Sequence, residues 1–307
     1  MIEFENMLII GVDHGYGNIK TANCVFPTGL MKSETEPTFT NDLLVWEGKY
    51  YTVGVGHKEF TPEKMRDEDF YVLTLAAIAC ELRQARRTEA NVYLAVGLPL
   101  TWVSGQRADF RDYLLQREEA EFSFRGVDYR VRFAGADVFP QGFAAVADKL
   151  GDFTGVNMLC DIGNGTMNIM YITDRRPDVR RMFTEKYGTH QCVLQVRESV
   201  MREHHAAIDD SVIGRVLRTG TADIGGAYLE TVTATAREYA AGILRKLREH
   251  EYDPNLMNLY VVGGGGCLVK NFADYDVKRA FIDEDVCAAA QGYEYMAEMS
   301  LRRRGGA

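Results

Sequence analysis

Two segments of this 307-residue chain repeat one pattern about half the chain apart. Met7–Phe26 (MLIIGVDHGYGNIKTANCVF) runs from an apolar stretch through Asp13, Gly15, Gly17 and Asn18 into a second strand-like stretch. Asn157–Ile172 (NMLCDIGNGTMNIMYI) repeats that order with Asp161, Gly163, Gly165, Thr166 and Asn168. Both read as β-hairpins whose tight turn carries D-x-G-x-G. A duplicated element of this kind constrains the fold more than local propensity does, because each copy then opens one of two related domains.

The intervening patterns predict an α/β architecture, with strands alternating with helices. Helical spacing marks Asp69–Arg87, Gln106–Gln116, Gln191–His205, Asp210–Arg218, Glu230–Glu251 and Asp285–Leu301. Asn91–Leu98 reads as a buried strand, and Phe122–Phe133 as a hairpin turning at Arg125–Gly126. Val138–Gly142 is expected to lead into a helix through Leu150. Leu43–Trp46 and Tyr50–Val55, joined by Glu47–Gly48–Lys49, suggest a small inserted subdomain. The expected organisation is a first domain over 1–155 with an insertion at about 27–70. A second follows over 156–285 with an insertion at about 187–252, and a last helix over 286–307 returns to the first. Arg302–Arg304, followed by Gly305 and Gly306, is expected to be a solvated, fraying tail.

Composition narrows the function. Thirty-five basic against 44 acidic residues give a net charge of −9, a poor match for phosphodiester backbones. No apolar run approaches the ~18 residues that span a bilayer, and the acidic start MIEFENMLII is unlike a signal peptide. Six dispersed cysteines without a C-x-x-C pair read as reduced thiols of a cytoplasmic protein.

The glycine turns suggest phosphate chemistry. Successive N–H groups in such a turn form an anion-binding nest, and glycine lets the backbone approach a ligand closely. Asp13 and Asp161, at strand ends beside the phosphates, would repel them unless a hard cation intervenes. Mg²⁺ is typically held there by one or two carboxylates and waters. Lys20, seven residues after Asp13, would reach phosphate oxygens as a point charge, or serve only as an edge-strand lysine. Asn258–Phe272 places Gly263, Gly264, Gly265 and Gly266 between a buried strand and a helix start, a site for phosphate or for a flat base. Neither a Walker A motif nor a dinucleotide fingerprint is present.

With these residues in view, the sequence resembles the actin-like ATPase superfamily along essentially its whole length. Asp13–Lys20 (DHGYGNIK), with Gly15, Tyr16, Gly17 and Asn18, resembles the first phosphate motif. Asp161–Thr166 (DIGNGT), with Gly163, Asn164 and Gly165, resembles the second, and Val261–Leu268 (VVGGGGCL), including Cys267, resembles the adenosine motif. Asp137–Ala147 and Val286–Tyr295 look like the two connecting helices. DHGYGNIK and VGLPL (residues 96–100) are most similar to the bacterial plasmid-segregation actins of the ParM-like group.

The resemblance implies an actin-like, ribonuclease H-like fold with a nucleotide cleft between two domains. It implies ATP, or GTP, with Mg²⁺ near Asp13 and Asp161, and it nominates Gln141 to position the attacking water. Phosphoryl transfer needs an oriented in-line nucleophile and charge neutralisation more than a strong base. Tyr16 departs from the family, standing where many actins place a small hydroxyl residue, so γ-phosphate sensing is expected to rely on backbone N–H groups. Asn164 likewise replaces a small residue, and no segment matches the adenine and ribose contacts.

Three functions follow from such a fold. A polymerising ATPase forms dynamic filaments for plasmid segregation, self-associating through contacts that do not close and gripping DNA through a basic adaptor protein. A small-molecule kinase would need an acceptor pocket with a general base, and no motif supplies one. A non-polymerising regulatory or chaperone-type ATPase is the third reading. His204–His205 is expected to be structural, His14 to point away from the ligand, and Met65, Met167 and Met170 to fill the core or an interface.

Overall fold

The computed structural model describes residues 1–38, 41–55, 65, 67–99 and 102–305. Leu100, Gly306 and the 56–64 stretch of the expected insertion lie outside the described residues. The chain divides into two compact units, Met1–Asp148 with Cys287–Ala307, and Lys149–Val286.

The first unit holds strands β1 (Ile2–Phe4), β2 (Met7–His14), β3 (Asn18–Lys20), β4 (Val25–Pro27), β5 (Leu30–Ser33), β6 (Leu43–Trp46) and β7 (Lys49–Val53). Helix α1 (Asp69–Gln84), β8 (Glu89–Leu98), α2 (Val103–Leu114), β9 (Glu119–Phe124) and β10 (Val127–Pro140) follow. They build one ten-stranded sheet in the order β4-β3-β2-β8-β10-β9-β6-β7-β5, with β1 on β2. The β6–β7 hairpin, turned by Glu47 and Gly48 at positive φ, attaches through β6 to β9 and so extends the main sheet. Arg125 and Gly126, both at positive φ, turn β9 into β10, the backbone that a two-residue hairpin loop requires.

The second unit holds β11 (Val156–Ile162), β12 (Met167–Thr173), β13 (Arg176–Glu185), α3 (Thr189–His204), α4 (Asp210–Thr219), α5 (Gly226–Glu249), β14 (Asn258–Val262), α6 (Gly266–Phe272) and β15 (Ala280–Ile282). Its sheet runs β13-β12-β11-β14-β15. This reproduces β4-β3-β2-β8-β10 of the first unit strand for strand. In each, an antiparallel three-strand meander leads through its first strand to two parallel neighbours. The sequence repeat is therefore a repeat of five-stranded sheets, to which the first unit adds β1, β5, β6, β7 and β9.

Alternation along the first strand of each sheet builds the cores. Leu8, Ile10 and Val12 pack with Phe70, Leu73 and Ala77 of α1, whereas Ile9 faces Tyr293 and Ala297 of the last helix, α7 (Ala288–Gly305). A strand covered on both faces is expected to read as a continuous apolar run, as β2 does. In the second unit, Met158, Cys160 and Ile162 pack with Val196 of α3 and with Ala236, Ala240 and Ile243 of α5.

One expectation changes and two details are added. The helix expected after β10 is a 3₁₀ helix, Phe143–Asp152; Gly142 at φ +78° turns the chain sharply just before it. Strand β13, rich in arginine and exposed at half of its residues, has no apolar alternation to announce it. Arg302, Arg303 and Arg304 belong to α7 rather than to a frayed tail. Arg302 holds Glu298 one turn back, and Arg304 holds both oxygens of the buried Asp137, at 3.0 and 3.1 Å.

Candidate functional site

In the first unit, Asp13, the second-last residue of β2, is paired in register with Lys20 of β3. The Asp13 carboxylate is buried. Its Oδ2 accepts from Lys20 Nζ and its Oδ1 from Gln141 Nε2, both at 3.2 Å. Gln141 directly follows β10, and its backbone N–H donates to the Leu98 carbonyl at the end of β8 (2.8 Å). Strands β2 and β3 and the end of β10, which is separated from β2 by β8 in the same sheet, thus deliver a carboxylate, an ammonium and a carboxamide to one point.

The turn between Asp13 and Lys20 is held from outside. Thr28 donates its hydroxyl to the Gly15 carbonyl (2.7 Å) and its N–H to that of Gly17 (3.0 Å). The Tyr16 ring stands edge-on to Phe70 of α1, 6.4 Å between centroids, and burial raises its phenol. Next to it, His14 is fully buried, edge-on to Phe70 and Phe110, with Nε2 2.8 Å from the Thr74 hydroxyl. Thr74 spends its own proton on the Phe70 carbonyl (2.6 Å), which makes Nε2 a proton donor to the Thr74 oxygen. His14 and Tyr16 therefore tie the turn to α1.

The second unit builds the matching turn differently. Asp161 pairs with Asn168 of β12 and Val262 of β14. Asn168, seven residues after Asp161, stands where the first hairpin has Lys20, and it accepts from the Thr184 hydroxyl (2.9 Å). The charge of the first hairpin is thus replaced by a neutral amide. The turn, closed by Gly163 N–H on the Thr166 carbonyl (2.9 Å), rests on the start of α3. Thr189 N–H donates to Gly163 O (3.0 Å), His190 N–H to Asn164 O (2.8 Å) and Gln191 Nε2 to Gly165 O (3.2 Å). Gln191 Oε1 meanwhile accepts from Gly188 N–H (2.8 Å), capping the helix. In both units, partners inside the same unit engage the carbonyls of the glycine turn, and such a turn keeps its N–H side for an anion.

The four-glycine loop packs on the same turn. Gly265 N–H donates to the Ile162 carbonyl (2.9 Å). Gly263 adopts φ +85°, and a Cβ there would lie 2.5 Å from Asp161 Oδ1. Cys267 is buried at the start of α6, and burial raises its thiol. The expected residues thus form two groups, Asp13 to Lys20 with Gln141 in the first unit and Asp161 to Thr166 with Gly263–Cys267 in the second.

Sequence reasoning missed the supports, namely Thr28 and the segment Gly188–Gln191. The second leaves a trace, since a glycine followed three residues later by Gln at the head of a helical pattern resembles a capping box. Of the flagged histidines, His204 stacks on Tyr228 and meets the Thr231 hydroxyl (2.8 Å), while His205 is the left-handed cap of α3. Among the described residues, no group of three or more His, Cys, Asp or Glu converges on a metal-sized site, and no helix is long and apolar enough to cross a membrane.

Two repeated sheets of one strand order, each opened by an acidic glycine hairpin, define an actin-like fold. Structures of actin homologues share it across almost the whole chain. An archaeal actin homologue, Ta0583, superimposes with a TM-score of 0.76 at 18% identity, covering 96% of this chain and 100% of its own. Bacillus thuringiensis ParM with ATP matches with a TM-score of 0.69 at 14% identity (97% and 100% covered). An Alp12 filament structure matches with a TM-score of 0.65 at 14% identity (97% and 100% covered). Residues 11–143 match the family model for the N-terminal domain of actin-like proteins. No curated protein sequence matches significantly.

Proposed function

We propose that this chain is an ATPase that binds ATP, or GTP, with Mg²⁺ through the phosphate turns of both units and assembles into dynamic filaments. The observation that carries this reading is the pair of donors on Asp13, Lys20 Nζ and Gln141 Nε2, brought together by β2, β3 and the end of β10. An acidic residue beside a phosphate-binding turn is repulsive unless charge is supplied. Lys20 supplies one positive charge, and Asp13 and Asp161 are suited to a hydrated Mg²⁺, a hard cation that bridges phosphate oxygens and neutralises their charge. Gln141 is neutral, so it orients a water without competing for its proton, which suits a loose transition state.

The backbone N–H groups of Gly15, Gly17 and Gly165 take the terminal phosphates, since the Tyr16 ring is committed to Phe70. The Gly263–Gly266 loop lies along the nucleoside. Nucleotide occupancy biases the conformation that polymerises, and hydrolysis weakens filament contacts. The ATP-bound ParM and the Alp12 filament, both of the same fold, support nucleotide binding and self-association. Plasmid segregation is the role we assign, with a basic DNA-binding adaptor between an acidic filament, net charge −9, and the DNA.

Sedimentation and light scattering with ATP and Mg²⁺ test this reading. Nucleotide-dependent pelleting, with phosphate release lost in Asp161→Ala, is expected. A chain that stays monomeric at high concentration and phosphorylates an added polyol would instead be a kinase.

A further inference from the structure

Six cysteines are present and all are free thiols, but only Cys24 is partly exposed. It closes the short connection from β3 to β4, and its sulfur faces the thiol of Cys80 on α1, which donates a hydrogen bond to it. Gln84 Nε2, one helical turn further along α1, is a second donor to the same sulfur at 3.4 Å.

The backbone around this contact is fixed. Glu81, beside Cys80 and fully buried, accepts from the Thr21 hydroxyl (2.5 Å), the Asn23 N–H (2.9 Å) and the Asn23 amide (2.8 Å). Gln84 also donates to the Asn23 carbonyl (3.2 Å), and Cys24 N–H to the Thr21 hydroxyl (3.0 Å). Five bonds therefore hold the connection in place, four of them to the turn of α1 that carries the second cysteine, which keeps Cys24 beside that turn.

We propose that Cys24 and Cys80 are a peroxide-responsive thiol pair, in which Cys24 is oxidised first and Cys80 then closes a disulfide. The Cys24 thiolate attacks one oxygen of hydrogen peroxide; a sulfur–oxygen bond forms, the O–O bond breaks, and hydroxide leaves to be protonated to water. The sulfenic acid is then attacked by Cys80. The S–S bond forms, the S–O bond breaks, and the departing hydroxide takes the Cys80 proton as a second water. Two thiols and one peroxide become one disulfide and two waters, with peroxide the oxidant throughout.

The electrostatics assign the order. The donated Cys80 hydrogen bond, with those of Gln84 and Thr21, favours the Cys24 thiolate and lowers its pKa, against burial and the Glu81 charge. The same contact and burial raise that of Cys80, which Arg125 lowers and Glu81 raises further. Thiolate character and access decide which cysteine reacts first, and both single out Cys24. Burial raises the thiols of Cys160, Cys192 and Cys267.

The full-length protein treated with a few equivalents of hydrogen peroxide, then denatured, alkylated and read by peptide mass spectrometry, tests this independently of any nucleotide. The expected product is an intramolecular Cys24–Cys80 cross-link with the other four thiols alkylated. Cys80→Ser should accumulate a dimedone-trappable sulfenic acid on Cys24, and Cys24→Ser should leave Cys80 reduced. In the untreated native protein, iodoacetamide should label Cys24 on the order of tenfold faster than any other cysteine. A Cys24 that stays reduced, a disulfide to another cysteine, or Cys24→Ser oxidising as fast as wild type would each overturn the proposal.

Discussion

The Asp13 carboxylate is shared between two donors, Lys20 on one oxygen and Gln141 on the other, each at 3.2 Å. The three residues leave strands β2, β3 and β10, so the geometry depends on sheet register and not on a flexible loop. Gln141→Ala should therefore leave the fold intact, because Asp13 keeps Lys20, while steady-state ATP hydrolysis falls roughly 10- to 1000-fold. Lys20→Met removes the charge partner of a carboxylate whose side chain is 10% exposed. It should cost about 1–3 kcal/mol of stability and weaken nucleotide binding on the order of tenfold or more. Equilibrium urea unfolding and a fluorescent-nucleotide titration separate these effects. An equal loss of binding in both variants would place Gln141 in ground-state binding and not in catalysis.

The second unit offers a comparison within one loop. An alanine Cβ at Gly263 would lie 2.5 Å from Asp161 Oδ1 on a backbone at φ +85°, whereas one at Gly264 meets nothing within 4 Å. Gly263→Ala should destabilise the chain by about 1–3 kcal/mol, and Gly264→Ala should change stability by less than about 0.5 kcal/mol. If the loop passes along a nucleoside, Gly264→Ala should still weaken nucleotide binding. Gly188→Ala, with its Cβ 2.7 Å from the Gly165 carbonyl carbon, should resemble Gly263→Ala, although it is distant in sequence. Thermal melting of the three variants with and without nucleotide makes this check.

A pH dependence follows from Glu294 on α7. Burial raises its carboxyl to about 7 from an ordinary 4.5, against the opposing effects of the Met1 ammonium and the Gly11 N–H, while Glu81 raises it further. A raised carboxyl binds its proton more tightly folded than unfolded. Its stabilising contribution is therefore fully present below about pH 4.5 and is lost as pH rises towards about 7. Glu294→Gln should flatten the fall in unfolding free energy across that window by up to about 1.4 kcal/mol per pH unit. Urea midpoints at half-unit intervals of pH provide the measurement, and an unchanged slope would remove Glu294 as the cause.

The two glycine hairpins were legible because glycine and aspartate recur at fixed offsets, and turn chemistry is local. The buried parallel strands were legible as well: Asn91–Leu98 and Asn258–Val262 are covered on both faces and read as unbroken apolar runs. Strand β13 was not, since an edge strand has one side free and can be filled with arginine and proline. The supports of the two turns were hidden for a different reason. Thr28 and Thr189 act through one hydroxyl or N–H on a carbonyl far along the chain, and such a bond leaves no periodicity.

Arg304 is the sharpest case of that kind, because its partner Asp137 lies 167 residues away. As a run, Arg302–Arg304 resembles any solvated basic tail. In the structure, Arg304 bonds both oxygens of Asp137, whose side chain is 9% exposed, and touches the Tyr93 hydroxyl at 3.2 Å. Arg302 only meets Glu298 of its own helix. Arg304→Ala leaves a nearly buried carboxylate without the Nη2 that both its oxygens accept from, and should cost about 1–2 kcal/mol. Arg304→Lys keeps the charge but not the fork and should recover about half of that loss. Arg302→Ala, removing an exposed pair one turn apart, should stay within about 0.5 kcal/mol of wild type. Equal effects of Arg302→Ala and Arg304→Ala in urea unfolding would mean that the run behaves as a solvated tail. A Gln141-dependent hydrolysis rate that also falls in Arg304→Ala would show that the Asp137 anchor, on β10 four residues before Gln141, sets where the end of β10 lies.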